Sequence, residues 1–125
     1  MAKILIAEDD EILREMVVRA LNEDGHELTS AGDGAAALEA LDRQVDKFDL
    51  LLSDVKMPVM DGIALALAAA RDFPDLTILL MTGYADQRER AQGLDALIHD
   101  VITKPFSLSA LRGTVNEALA VRRRN

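Results

Sequence analysis

The chain has 125 residues, half of them apolar, no cysteine and a formal net charge of -8 at pH 7. That content describes one globular domain over residues 1–125, large enough to bury roughly two-thirds of its unfolded surface, and it excludes disulfides and thiolate metal sites. The acidic balance argues against a nucleic acid partner, which needs a basic surface; the apolar run Ile4 to Ala7 is too short for a signal core or a membrane span, so a cytoplasmic protein without membrane contact is expected.

Lys3 to Ala7 reads as a short apolar strand running into Glu8, Asp9, Asp10 and Glu11. Ile12, Leu13, Met16, Val17, Ala20 and Leu21 then recur at helical spacing, with Asp10 as cap, Glu11 in the first turn and Gly25 as the stop. Glu27 to Ala31 is a weak strand, Gly32-Asp33-Gly34 a turn, and Ala35 to Leu41 a short Ala-rich helix. Leu50, Leu51 and Leu52 form a run too short for a helix, and Pro58 follows closely, so a strand buried on both faces is predicted, with Asp54 at its end. Asp61 caps a helix over Gly62 to Asp72 that Phe73-Pro74-Asp75 ends. Met57 and Met60 read as loop packing.

Thr77 to Met81 is the fourth strand, closing on Thr82-Gly83-Tyr84. Asp86 to about Leu97 is predicted helical, with Gly93 weakening it by about 1 kcal/mol relative to Ala. Asp100 to Thr103 is the last strand and ends at Lys104-Pro105. Ser107 caps a final helix with Leu108, Leu111, Val115, Ala118 and Leu119 on one face. Gly113 inside it has no reason visible in the sequence. Arg122, Arg123 and Arg124 read as a short solvated basic tail over residues 122–125. His26 and His99 read as partly solvated residues rather than metal ligands.

Five strands alternating with five helices make an α/β chain, a parallel sheet with right-handed crossovers and helices on both faces. The expected fold is the flavodoxin-like doubly wound sheet of order 2-1-3-4-5, whose functional crevice lies beyond the carboxyl ends of the strands. Glu8 and Asp9 follow strand one, Asp54 ends strand three, Thr82 ends strand four and Lys104 ends strand five. Neighbouring strands lie about 5 Å apart, so the three carboxylates converge if strands one and three are adjacent.

Asp54 alone could be a turn-former or a reactive group. Its company changes the weighing. Two unit charges about 5 Å apart repel by roughly 3 kcal/mol at an effective dielectric near 20, and three such pairs need positive charge among them. Lys104 supplies one charge and a divalent cation would supply two. Oxygen ligands without His or Cys suit Mg2+, which accepts one or two carboxylates plus phosphate oxygens. A metal, a carboxylate nucleophile, a hydroxyl and an ammonium are the parts that orient and neutralise a transferring phosphoryl group.

Ile4-Leu5-Ile6-Ala7-Glu8-Asp9, Asp54-Val55-Lys56-Met57-Pro58 with Asp61-Gly62, Thr82-Gly83, and Lys104-Pro105-Phe106 together resemble the receiver domain of two-component response regulators, over nearly the whole chain. The resemblance implies Asp54 as phosphoacceptor. It implies Mg2+ held by Glu8 and Asp9, with Asp9 the direct ligand, by Asp54 and by the Lys56 main-chain carbonyl. It makes Thr82 the switch hydroxyl and Lys104 the counter-ion, in a bond to Pro105 that is usually cis. The phosphoryl donor would be a histidine kinase or a histidine phosphotransfer protein. The chain stops just after the fifth helix, so a single-domain receiver without an output domain is expected, acting by docking to other proteins and hydrolysing its own phosphoryl group rather than serving as an enzyme. Thr82-Gly83-Tyr84-Ala85 and Leu97 to Ile102 resemble a group of stand-alone receivers that, unphosphorylated, prime the ClpXP protease, which makes ClpXP the implied output partner.

One position departs from the family pattern. Three residues before the lysine, where receivers commonly carry Tyr or Phe, stands Val101, so the usual Thr-to-aromatic relay is missing; Tyr84 could supply a ring from the loop, or merely cover it. Two other classes fit these residues less well. An Asp-nucleophile phosphohydrolase needs a second Asp two residues after the first, where this chain has Lys56. A phosphorylation-independent receiver-like scaffold would be expected to lack some of the acids, Thr82 or Lys104. A dinucleotide site is disfavoured because acids, not a Gly-x-Gly-x-x-Gly loop, follow the first strand.

Overall fold

The computed structural model of the chain describes residues 2–43, 47–83, 89–91, 93–94 and 96–124, the last three of these by backbone alone. In chain order the elements are β1 (Lys3–Ala7), α1 (Glu11–Glu23), β2 (Glu27–Ala31), α2 (Gly34–Arg43), β3 (Leu50–Asp54), α3 (Gly62–Asp72), β4 (Thr77–Thr82), helical residues 89–91 (α4), β5 (Asp100–Thr103) and α5 (Leu108–Arg124). The strands form one parallel sheet in the order β2-β1-β3-β4-β5. Among the described residues, no helix is long and apolar enough to cross a membrane.

Side chains alternate across a strand, so each strand feeds two cores. Ile4, Ile6, Leu50 and Leu52 pack with Val17 and Leu21 of α1 and with Leu111 and Val115 of α5. Leu5, Leu51 and Leu80 pack instead with Ala37 and Leu41 of α2 and with Leu65, Ala66 and Ala69 of α3. Leu50, Leu51 and Leu52 are all fully buried, and a strand covered on both faces must be apolar at successive positions. Met57 is buried and Met60 partly so, both against the second core.

The expected caps are present. Asp10 Oδ1 accepts from the amides of Ile12 and Leu13 at 3.0 and 3.1 Å, Asp61 Oδ1 from Ala64 at 2.9 Å, and Ser107 Oγ from Ala110 at 3.0 Å. Gly25 follows α1 at φ +90°, a conformation that costs glycine little.

Three expectations need correction. The helix predicted from Asp86 to about Leu97 begins outside the described residues, and residues 93–94 and 96–97 are turns. There the amides of Leu94 and Leu97 bond to carbonyls only three residues back, Ala91 and Leu94, at 3.0 and 2.7 Å, a tightening that the poor helix former Gly93 permits. Asp33 is more than a turn residue: its Oδ1 accepts from the Ala36 amide at 2.8 Å, capping α2, which therefore starts at Gly34. Thr82 ends β4 as expected, paired with Thr103 of β5. His26 is buried, not partly solvated, because its Nδ1 accepts from the Ala2 amide at 3.2 Å beneath the start of the sheet. His99 is half-buried as expected, with Nε2 3.6 Å from Glu117 Oε1. Gly113 lies exposed on α5 with nothing within 4 Å of the place a Cβ would take, and nothing in the structure explains it.

Candidate functional site

The register of the sheet brings the acids together. Ala7 of β1 pairs with Ser53 of β3, so Glu8 and Asp54 emerge side by side where the two strands end. Ligating oxygens of Glu8, Asp9 and Asp54 all lie within 4.8 Å of one another. Glu8 and Asp54 are buried, while Asp9 is exposed. Lys104, just past β5, closes the group: its Nζ lies 2.8 Å from Glu8 Oε1 and 3.1 Å from Asp54 Oδ2. The Lys104 amide bonds to the Thr82 carbonyl at 2.8 Å, tying the end of β5 to the end of β4. The Lys104–Pro105 bond is cis, as the resemblance implies.

Glu8 and the chain after Asp54 are held by backbone as well as by charge. The Glu8 amide donates to the Ala31 carbonyl at 3.1 Å, and Glu8 Oε2 accepts from the Asp10 amide at 3.2 Å. After Asp54 the chain turns at once, because the Val55 amide is bonded to the Met81 carbonyl at 3.0 Å and the Gly62 amide to the Val55 carbonyl at 2.8 Å. Gly62 has to be glycine here: a Cβ would overlap the Asp54 carbonyl oxygen. Gly34 is constrained in the same way by the Met60 carbonyl, which seats α2 against the loop after β3. At the tip of that loop Val59 adopts φ +70° and is 85% exposed. The Met60 amide closes a three-residue turn on the Pro58 carbonyl at 2.8 Å. A β-branched residue in the left-handed region costs about 1–3 kcal/mol, and no sequence signal marks it.

Burial pushes the Glu8 carboxyl up to about 7, and the Asp54 charge adds to this; the Lys104 and Asp10 hydrogen bonds oppose it. For Lys104, burial works against the ammonium, yet the hydrogen bond to Glu8 and the charges of Asp54 and Glu8 outweigh it and hold the pKa above the ordinary lysine value. Lys104 thus pairs with Glu8 and Asp54, while Asp9 adds a third carboxylate to the group. An all-oxygen donor set, one of its members reaching an open cleft, fits a hard divalent cation such as Mg2+.

The cleft occupies about 1140 Å³ and is lined by the three acids, Lys56 and Lys104, with Ile12, Met16 and Phe106 on its apolar side. Thr82 is buried at the end of β4. Val101 is half-buried against the core shared with α3, while Tyr84 lies outside the described residues. Asp61 links the loop after β3 to α4: one oxygen caps α3 and the other lies 3.3 Å from Arg90 Nη2. Arg14, which in sequence looks like an ordinary polar helix position, donates from Nη1 to the Glu8 carbonyl at 2.8 Å.

The sequence profile of the response regulator receiver domain matches residues 4–116. The chain is similar to the response regulator receiver protein CpdR of Brucella abortus, 42% identical over 117 residues that make up 94% of this chain and 93% of CpdR. It is 37% identical over 117 residues to the response regulator MprA of Mycobacterium leprae, covering 94% of this chain but 50% of MprA. Among solved structures, it is similar to the response regulator TrrA of Thermotoga maritima in complex with Mg2+-BeF, with a TM-score of 0.82, 26% identity, and coverage of 94% of this chain and 99% of TrrA.

Proposed function

We propose, from the finding that this chain belongs to the response regulator receiver domain family of two-component systems, that it is a phosphorelay switch whose phosphoacceptor is Asp54. The observation that carries the reading is the convergence of Glu8, Asp9, Asp54 and Lys104 at the carboxyl ends of the sheet. An Asp54 carboxylate oxygen attacks the phosphorus of a phosphohistidine on a histidine kinase or phosphotransfer protein. The P–O bond forms as the P–N bond breaks, and the departing imidazole takes up a proton. Glu8, Asp9, Asp54 and the Lys56 main-chain carbonyl would hold Mg2+, which when bound neutralises developing charge on the phosphoryl oxygens. Lys104, already beside Asp54, pairs with the transferred group, and the Thr82 hydroxyl meets it from the neighbouring strand. Water later returns the carboxylate.

Signalling then uses a surface. The face of α4, β5 and α5 adjoins both Thr82 and Lys104, so a change at the phosphate reaches it first. The resemblance of the stretches Thr82 to Ala85 and Leu97 to Ile102 to stand-alone receivers that prime ClpXP is what supports that protease as the output partner, engaged by the unphosphorylated form. The test is intact mass after incubation with acetyl phosphate and Mg2+. The wild type gains one phosphoryl group and Asp54→Ala gains none while keeping its thermal stability, since Lys104 retains Glu8. Phosphorylation of Asp54→Ala at the wild-type rate would overturn the assignment.

A further inference from the structure

Glu8 is fully buried at the point where β1 ends, so its main-chain carbonyl needs a partner inside the fold. Arg14 supplies it. Helix side chains lean toward the amino terminus, and Arg14, one turn into α1, reaches back to donate Nη1 to the Glu8 carbonyl at 2.8 Å. Its guanidinium passes beside Gly32, where a Cβ would lie 3.4 Å from Nη1. The Glu8 amide is already bonded to the Ala31 carbonyl at 3.1 Å. Both backbone groups of Glu8 are therefore fixed, one by β2 and one by α1.

We infer that Arg14 is a positioning residue for the acidic pair: by holding the Glu8 carbonyl it fixes the plane of the Glu8–Asp9 peptide, and with it the direction from which the Asp9 carboxylate approaches a divalent cation. The inference rests on the reading of Glu8, Asp9 and Asp54 as a Mg2+ site. Charge and positioning predict opposite signs here. Removing a cation near a metal site strengthens metal binding if Arg14 acts only through its charge, whereas loss of an outer support for a ligand weakens it, typically by tenfold or more.

The test is calorimetric titration of EDTA-stripped protein with MgCl2 alone, together with melting in EDTA. Arg14→Met is expected to bind Mg2+ about tenfold more weakly than wild type, and Arg14→Lys, which keeps a donor on a long stem, to recover part of the loss. Gly32→Leu provides a second route that leaves α1 unaltered, because Gly32 has no left-handed φ and its Cβ would already touch the guanidinium, so that the bulk beyond it is expected to crowd Nη1 off the Glu8 carbonyl; it is expected to weaken Mg2+ binding likewise, and it decides the matter if Arg14→Met fails to fold. Wild-type or tighter Mg2+ affinity in Arg14→Met, with Asp9→Ala unable to bind, overturns the inference and leaves the metal site standing. No Mg2+ binding by the wild type overturns the site and the inference together.

Discussion

At the scale of single residues, Glu8 makes the stability of the metal-free protein depend on pH. Its carboxyl has a pKa raised from 4.5 to about 7 by burial, so the folded state binds its proton more tightly than the unfolded state does. The resulting stabilisation is fully present below the unfolded value near 4.5 and is lost as pH rises through about 7, a change of about 3 kcal/mol. Melting in EDTA should therefore show a lower Tm at pH 8 than at pH 5, and Glu8→Gln should flatten that part of the profile. A Tm that rises across the interval in the wild type would contradict the burial argument. The proposed Mg2+ would act in the opposite sense, since a cation that takes the ionised carboxylates displaces the proton.

At the scale of elements, two glycines in helices make opposite predictions. Gly62 opens α3 where an added Cβ would run into the Asp54 carbonyl and the Val55 Cα, so Gly62→Ala must move the backbone that carries Asp54. A loss of about 2–4 kcal/mol in denaturant unfolding is expected, with slower phosphorylation by acetyl phosphate. Gly113 sits exposed in the interior of α5 with nothing near its missing side chain. Gly113→Ala should raise stability by about 0.5–1 kcal/mol through better helix propensity, with the rate of phosphorylation unchanged. Equal effects of the two substitutions would show that the close approach at Gly62 does not hold the loop in place.

At the scale of the whole molecule, the proposed metal site spans the ends of β1 and β3, whose acids come together only in the folded chain. Mg2+ should stabilise the protein by about 2.7 kcal/mol at a hundredfold excess over Kd, and Asp9→Ala should lose the shift; an unchanged shift in that variant would place the metal elsewhere. Coupling to a partner is a second global property, usually worth about 1–3 kcal/mol. Val101 is an aliphatic residue half-buried against the core, stiff and without a hydroxyl to exchange partners. Val101→Ala should cost about 1–2 kcal/mol of stability with the difference in partner affinity between the phosphorylated and unphosphorylated forms retained. Tyr84→Ala should leave phosphorylation of Asp54 nearly intact but shrink that difference. Uncoupling by Val101→Ala alone would route the signal through β5.

What the sequence determined by itself was whatever depends on near neighbours along the chain. The triple leucine of β3, the alternation of strand and helix, the caps Asp10, Asp61 and Ser107, and the placing of Glu8, Asp9, Asp54 and Lys104 at element ends are all local patterns of polarity and spacing. Even the convergence of the acids followed once the order of the sheet was taken from the fold class. The tertiary structure decided what depends on contacts between distant residues. Pairing of Ala7 with Ser53 sets Glu8 beside Asp54, and Lys104 finds Glu8 from 96 positions away, which no spacing rule contains. His26 became a buried acceptor and Arg14 a support for Glu8 for the same reason: a polar side chain chooses its partner in space, and its own flanking residues do not say which buried backbone group will need it.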